Sequence, residues 1–237
     1  MRIRIKFRKY GVMRFIGHLD IMRYFQKAMR RADIDIAYSE GFSPHQIMSF
    51  AAPLGVGVTS DGEYLDIEVH STKSTRESIE ALNAVMVDGV EIVEYVALRQ
   101  NAAKAMSSVA AADYAVYFKK NDDFTREELE DNIASYYNGR SSIEVTKQTK
   151  KSERVIDLKP LIYQFLPYEE DGKTGFFLKL CTGSTDNIKP ELVLEDFYQY
   201  FGKTYDASNM QIHRIEVYEN TAEGFRPLYK AGDNIES

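Results

Sequence analysis

The first stretch of the chain alternates between apolar and basic residues. In residues 2–8, RIRIKFR, isoleucine or phenylalanine occupies every second position and arginine or lysine occupies the positions between. Side chains of a β-strand point alternately to its two faces, so this alternation predicts a strand with one face in the core and one basic face. The cations of the basic face include Arg4, Lys6 and Arg8.

A helical period follows, after a break at Gly11. Apolar residues recur every three or four positions from His18 to Ala32, which predicts an amphipathic helix. Asp20 in the first turn suits the positive end of the helix dipole. The apolar arc contains Ile21, Met22, Phe25, Ala28, Met29 and Ala32, and the opposite arc contains the cations Arg23, Lys27, Arg30 and Arg31.

The remaining pattern predicts one order of elements, used twice. Strands at 34–39, 63–69 and 90–98 and a helix at 75–86 complete a β-α-β-β-α-β series, and the same order returns after residue 112. This order is typical of the ferredoxin-like fold. We therefore predict an α+β protein of two tandem ferredoxin-like modules with antiparallel sheets. The predicted boundaries are 1–98 for the first module, 99–112 for a linker, 113–220 for the second module and 221–237 for a frayed tail.

Charge is unevenly distributed along the chain. Residues 1–31 contain ten lysines and arginines against one acid, whereas the whole chain of 237 residues has a net charge of −6. Such asymmetry indicates a polyanionic partner. A smaller basic cluster in a predicted hairpin is expected to be a solvated strand edge, with a helper contact to nucleic acid as the alternative. It consists of Lys147, Lys150, Lys151 and Arg154.

Two interpretations of the N-terminal cations follow. An open sheet face that carries cations and aromatic side chains is a common way to hold single-stranded RNA. Alternatively, Tyr64, Asp66 and Glu68 of the third strand share that face, and opposite charges across strands attract one another. The predicted nucleic-acid contacts are Arg4, Lys6, Arg8, Arg23, Lys27, Arg30 and Arg31.

Composition excludes several chemistries. The single cysteine, Cys181, rules out an internal disulfide, and one chain alone supplies neither a cysteine-ligated iron–sulfur cluster nor a cysteine-rich structural zinc site. No run of about 18 apolar residues is present, and the N-terminus lacks the apolar core of a signal peptide. We expect a cytoplasmic protein without a membrane segment, a metal or another cofactor.

Two histidines are candidates for chemistry. His18 opens the predicted helix beside Asp20, and His45 ends the loop motif Gly41–His45, beside Glu40. Because the pKa values of histidines lie near neutrality, such a pair can act as acid and base on a ribose 2′-hydroxyl. One hypothesis is therefore a metal-independent endoribonuclease. Contact with a bound base or peptide, and a purely structural role, remain alternatives.

The loop motif also has a backbone explanation. Gly41 can adopt a positive φ, and Pro44 keeps Ser43 out of the helical region. We expect Phe42 to anchor the loop by burial. Only His45 is left without a structural reason.

Two stretches resemble a known family. FIGHLDIMRYFQKAMRRADI and YSEGFSPHQIMSFAAPLGVGVTSDGEYLDIEV are similar to an uncharacterised family of radical-SAM-linked proteins. The motifs that carry the resemblance are His18-Leu19-Asp20, Arg30-Arg31, Gly41-Phe42-Ser43-Pro44-His45, Pro53-Leu54 and Glu63-Tyr64-Leu65-Asp66. The resemblance implies a partner of a radical-SAM protein, because this chain lacks the three-cysteine motif of the radical enzymes themselves.

Three functional hypotheses remain. The preferred one is a non-catalytic module that recognises RNA, or an RNA-associated substrate, for a radical-SAM partner. The second is the endoribonuclease that uses His18 and His45. The third is a protein-interaction scaffold, which would have a large apolar patch and fully paired N-terminal cations.

Overall fold

The chain is a mixture of helices and mostly antiparallel strands. The computed structural model describes residues 1–120, 123–148, 153–183 and 186–236, and no helix within these ranges is long and apolar enough to cross a membrane. The helices are α1 (His18–Arg31), α2 (Thr75–Asn83), α3 (Ala105–Ser108), α4 (Arg126–Ile133) and α5 (Pro190–Tyr200). The strands are β1 (Arg2–Lys9), β2 (Met48–Phe50), β3 (Thr59–Glu68), β4 (Val90–Leu98), β5 (Val109–Phe118), β6 (Glu144–Gln148), β7 (Glu153–Asp157), β8 (Ile162–Glu170), β9 (Lys173–Cys181), β10 (Met210–Thr221), β11 (Gly224–Pro227) and β12 (Gly232–Asp233).

The chain divides into two compact units. Unit 1 contains Met1–Ala110 together with the chain from Glu216 onward, and unit 2 contains Ala111–Ile215. This division differs from the predicted linker at 99–112, because that stretch contains α3 and the start of β5. Ala105 and Val109 are buried there, so these small residues pack into the fold.

β1 has a neighbour on each side in the sheet of unit 1. It pairs antiparallel with β3 and with β4. β2 pairs with β3, and β12 pairs with β4. The helices α1 and α2 follow β1 and β3 along the chain, and their apolar side chains join the core on one face of this sheet.

The alternation of β1 is confirmed by the burial of its apolar residues. Ile3, Ile5 and Phe7 are buried in one cluster with Phe25 and Met29 of α1, and the ring centroids of Phe7 and Phe25 lie 4.7 Å apart. Full burial of one such side chain contributes about 1.5–3 kcal/mol. The core thus occupies one face of β1 and leaves Arg4, Lys6 and Arg8 on the other.

The C-terminal segment differs from the frayed tail predicted for 221–237. It contains β11 and β12, with a 3₁₀ turn at Leu228–Ala231 between them. Leu228 and Ala231 are buried, and β11 pairs antiparallel with β10. The segment is ordered because its apolar side chains leave water and its strands complete hydrogen bonds with strands of unit 1.

Unit 2 is built on an antiparallel sheet and an aromatic core. β9 pairs with β5 and with β8, and β6 and β7 form a separate hairpin. A Cβ at Gly175 would lie 2.0 Å from the carbonyl oxygen of Val116, so the backbones approach too closely for any other residue. Of the predicted basic cluster near this hairpin, Lys150 and Lys151 lie outside the described residues. The aromatic core includes Phe124, Tyr136, Phe165, Phe176, Phe197 and Tyr198.

Candidate nucleic-acid interface

Arg4 is buried and fully engaged within unit 1. Its Nε and Nη2 donate to the two carboxylate oxygens of Asp66 at 2.7 and 3.0 Å. Nη1 donates to the carbonyl of Leu228 at 3.0 Å, and Nη2 also donates to that of Ala103 at 2.9 Å. The side chain is 0% exposed, so it presents no charge to solvent and the prediction that it contacts nucleic acid is not supported.

Lys6 is also neutralised by an acid. Its Nζ lies 2.6 Å from Oε2 of Glu216, and the hydroxyl of Tyr64 donates to Oε1 of the same carboxylate at 2.6 Å. Burial, together with the adjacent charge of Glu216, raises the pKa of Tyr64 well above its ordinary value. The Tyr64 phenol therefore remains protonated and serves as a donor that holds Glu216 in place.

Arg8 is the most exposed of the three predicted strand cations, with 44% of its side chain accessible. Its guanidinium contacts Asp61 at 3.5 Å and Glu91 at 3.0 Å, from the two strands beside β1. All three predicted strand cations thus pair with carboxylates. Of the two interpretations of this face, the ion pairs match the one in which opposite charges attract across strands. Nucleic-acid contact by Lys6 and Arg8 stays a prediction.

The cations of α1 have a different environment. Arg23, Lys27, Arg30 and Arg31 are all exposed. Arg23 contacts Asp20 one turn away at 3.2 Å, and Arg31 donates to the carbonyl of Val85 at 3.1 Å. Across the described part of the chain, the side chains of Lys27 and Arg30 have no hydrogen bond and no ion pair. Positive charge on this helix face is therefore available to a partner.

A cavity of about 590 Å³ opens at the C-terminal end of α1. Arg30 belongs to its wall and also to the exposed face of the helix. Tyr38 lines the cavity with a side chain that is 47% exposed, and its hydroxyl accepts a hydrogen bond from Gln46 at 3.4 Å. The other polar walls include Asp35, Ser71 and Lys73. Cations, hydrogen-bond acceptors and an aromatic ring thus converge on one cavity.

The two candidate catalytic histidines line different cavities. The ring of His18 packs edge-on against Phe50, with centroids 5.3 Å apart, and lines a small cavity of about 10 Å³. Nδ1 of His45 lies 2.8 Å from Ser39 Oγ, and His45 lines a different cavity of about 300 Å³, beside Arg2 and Lys104. The two cavities share no lining residue. The hypothesis that the two histidines act together as acid and base stays a prediction.

The carboxylates next to the two histidines lie on the surface. Among the residues that the structure describes, no group of three histidine, cysteine, aspartate or glutamate side chains could hold a metal ion. Asp20 and Glu40 are exposed, and Asp20 contacts Arg23.

The Gly41–His45 loop stands away from the core. Gly41 has a φ of 105°, as the backbone explanation of the motif requires. Phe42 is 111% exposed, so the expectation that it anchors the loop by burial is wrong. The loop is closed at its base, where Ser39 N–H donates to the carbonyl of His45 at 2.8 Å and His45 N–H donates to Ser39 Oγ at 3.1 Å. These bonds hold the loop without help from Phe42.

Comparison with known proteins shows the family of the chain. Residues 2–190 match a family described as an uncharacterized protein conserved in bacteria (DUF2344). The chain belongs to this family. None of the curated proteins that were compared with this family member matches it in sequence.

Solved structures resemble this protein in fold, and one of them belongs to a complex of three proteins. A chain in a crystal structure of a Cbf5-Nop10-Gar1 complex superposes with a TM-score of 0.51 at 11% identity. The match covers 91% of this protein and 48% of the matched chain. This protein therefore spans about half the length of that chain. At this identity the likeness concerns the fold alone.

Several residues of the site were not predicted from the sequence of this family member. Tyr38 and Lys73 lie outside the motifs, and only their meeting with Arg30 in one cavity gives them a role. Glu216 and Leu228 were placed in a final strand and a tail, yet both contact cations of β1. The apolar residues of this tail, Leu228 and Ile235 among them, were the signal in the sequence that it packs.

Proposed function

We propose that this chain binds RNA without cleaving it, through the exposed face of α1. The observation that carries the proposal is a contrast between two sets of cations. Lys27 and Arg30 are exposed and unpaired within the described residues. Arg4, Lys6 and Arg8 of β1 are each paired with a carboxylate. Residues 23, 27, 30 and 31 fall on one side of a helix. They span roughly 12 Å at about 1.5 Å per residue, a length that fits several phosphates of a single strand.

We further propose that the bound RNA, or an RNA-associated substrate, is presented to a radical-SAM protein. The motif resemblance motivates this partner. A cluster of exposed apolar side chains at the start of α1 offers a contact surface for it: Val12, Phe15, Leu19 and Val56 are exposed, and Gly57 N–H donates to the carbonyl of Arg14 at 2.8 Å. Size-exclusion chromatography with a radical-SAM protein of the same organism tests it, and a Leu19→Ser variant that still forms the complex would refute this surface.

The two units are proposed to be ferredoxin-like modules. The antiparallel order β4-β1-β3-β2 in unit 1, with α1 after β1 and α2 after β3, supports this for the first unit. In unit 2 the order β10-β5-β9-β8 supports the second.

Fluorescence anisotropy with a labelled single-stranded RNA tests the RNA proposal. Measurements at about 50 and 200 mM salt give the slope of log K against log salt, which is roughly −0.7 for each phosphate contact with a single strand. A Lys27→Gln/Arg30→Gln variant loses two contacts, so its slope should be less steep by about 1.4. Binding by the wild type that shows no salt dependence would contradict the proposal.

A matched control removes two paired cations. Arg8→Gln/Arg99→Gln has the same change in net charge, and both arginines are partly exposed but contact carboxylates, Arg99 through Asp233 at 2.5 Å. We expect this control to bind RNA nearly as the wild type does. Equal weakening of both double variants would show that net charge, and not this helix face, sets the affinity. The same RNA recovered at full length, in the presence of chelator, checks that it is not cleaved.

A further inference from the structure

We propose that the cavity at the end of α1 receives one unstacked nucleotide of the bound RNA, with its base stacked on Tyr38 and with a preference for guanine. This inference rests on the RNA binding proposed above. It adds the site that would select a nucleotide, which the cationic helix face by itself cannot do, because phosphate contacts carry no sequence information.

The size of the cavity suits a nucleotide. Its volume of about 590 Å³ lies in the range of small-molecule sites, about 300–1,000 Å³. Arg30 lines the cavity and is itself exposed on the cationic face of the helix. A strand that follows the face of α1 therefore reaches the cavity at Arg30 without leaving the protein surface.

Tyr38 supplies the stacking platform. Its side chain is 47% exposed although an aromatic residue is ordinarily placed in the core, and it lies in the wall of a polar cavity. Gln46, which is buried, donates to its hydroxyl from below. Single-stranded RNA is bound by stacking unpaired bases on such rings.

The polar side chains of the cavity supply donors for the phosphate of the nucleotide and acceptors for its base. Arg30 and Lys73 line the cavity and supply donors to a phosphate at its rim. Asp35 Oδ2 accepts a hydrogen bond from Ser71 Oγ at 2.7 Å, and among the described residues its other oxygen has no partner. A carboxylate accepts hydrogen bonds and does not donate them.

That remaining acceptor gives the expected base preference. Guanine presents an N1–H and an exocyclic amino group side by side, which a carboxylate oxygen and its neighbours can accept. Uracil presents a single N–H between two carbonyl oxygens, which the carboxylates of Asp33 and Asp35 would repel. We therefore expect a guanosine to be favoured over a uridine at this position.

The test uses the full chain and two labelled RNAs of about nine nucleotides, oligouridine and the same strand with one central guanosine. The wild type should bind the guanosine strand more tightly. Tyr38→Ala should lose about 5- to 150-fold in affinity, the range that one stacked base contributes, and Tyr38→Phe should lose less than about twofold. Asp35→Asn should remove the preference for guanosine, because it weakens binding of the guanosine strand and relieves the repulsion of uracil in oligouridine.

The outcomes separate this inference from the proposed function. If Tyr38→Ala and Asp35→Asn bind both strands as the wild type does while Lys27→Gln/Arg30→Gln binds weakly, the nucleotide site is refuted and RNA binding stands. If no RNA binds at low salt, both fail. A free guanosine monophosphate that binds as tightly as the strand, with the same dependence on Tyr38, would make the ligand a mononucleotide and overturn the RNA assignment. Tyr38→Phe and Asp35→Asn keep the test decisive if Tyr38→Ala unfolds.

Discussion

The cations of β1 and those of α1 look alike in the sequence and have opposite fates in the fold. Arg4 pairs with Asp66, 62 residues away, and Lys6 pairs with Glu216, 210 residues away. Lys27 and Arg30, on a helix whose apolar arc is buried, have no carboxylate partner among the described residues. Local periodicity therefore shows on which face of a strand or helix a cation lies. Whether that cation forms an ion pair within the protein depends on elements that are distant in the sequence.

We therefore expect the loss of a β1 cation and the loss of an α1 cation to change the free energy of unfolding by different amounts. A buried cation that holds a carboxylate and two carbonyls leaves all of them unsatisfied when it is lost, which costs several kcal/mol. An exposed cation without a partner leaves nothing behind. Stability should therefore depend on β1 and RNA affinity on α1, and each prediction below tests one side of that division.

The largest effect is expected at Arg4. Replacing Arg4 by Met leaves the Asp66 carboxylate, which is 12% exposed, beside an apolar chain. Among the described residues, the backbone N–H of Ala105 is then the one donor to it that remains. Breaking a buried pair from one side costs about 3–5 kcal/mol, which we expect as the loss in the free energy of unfolding by urea.

Arg8→Met is the matched control for Arg4→Met. It makes the same chemical change at a side chain that is 44% exposed, and exposed ion pairs contribute about 0–1 kcal/mol. Equal destabilisation by the two variants, or a loss below about 1 kcal/mol for Arg4→Met, would show that the Arg4 network does not hold unit 1 together.

An intermediate effect is expected from Tyr64 at alkaline pH. The folded protein retains the phenolic proton because burial and Glu216 raise the pKa of Tyr64. The unfolded chain releases that proton near pH 10, so above about pH 10 it binds fewer protons than the folded protein and stability falls as the pH rises. Tyr64→Phe should reduce this alkaline slope of the free energy of unfolding by up to about 1.4 kcal/mol per pH unit.

Urea unfolding between about pH 9 and 11 measures that slope. Other buried tyrosines with raised pKa values, Tyr136 and Tyr198 among them, add their own contributions, so the informative quantity is the difference between wild type and variant. An unchanged slope in Tyr64→Phe would mean that the Glu216 contact is not linked to folding.

Whether a feature of the fold could be predicted from the sequence depends on how far apart in the sequence its contacting residues lie. The alternation of residues 2–8 and the apolar arc of α1 are local patterns, and burial confirms them. The Arg4–Asp66 pair was available as an alternative, since both residues fall on neighbouring strands. The pairing of Lys6 with Glu216 was not, because it requires the last strand and the tail to return to the first module.

The Gly41–His45 loop also shows that local properties are predictable from the sequence, whereas tertiary contacts are not. Gly41 was correctly explained by its backbone, since positive φ is a local property. Phe42 was expected to be buried because most phenylalanines are, yet hydrogen bonds at the base of the loop make its burial unnecessary. His18 and His45 were associated by their shared motif set, and no local pattern could show that they line separate cavities.

The smallest effect on stability is expected at Lys27. Lys27→Ala removes an exposed side chain without a partner among the described residues and places a better helix former on α1, so the free energy of unfolding should change by less than about 0.5 kcal/mol. Affinity for single-stranded RNA should nevertheless fall, with a salt slope less steep by about 0.7. Arg4→Met, measured at a temperature where it is folded, should show the reverse: lower stability with an unchanged salt slope. If Lys27→Ala instead lowers stability and leaves RNA affinity intact, the cations of the helix are structural like those of the strand, and the division between the two regions disappears.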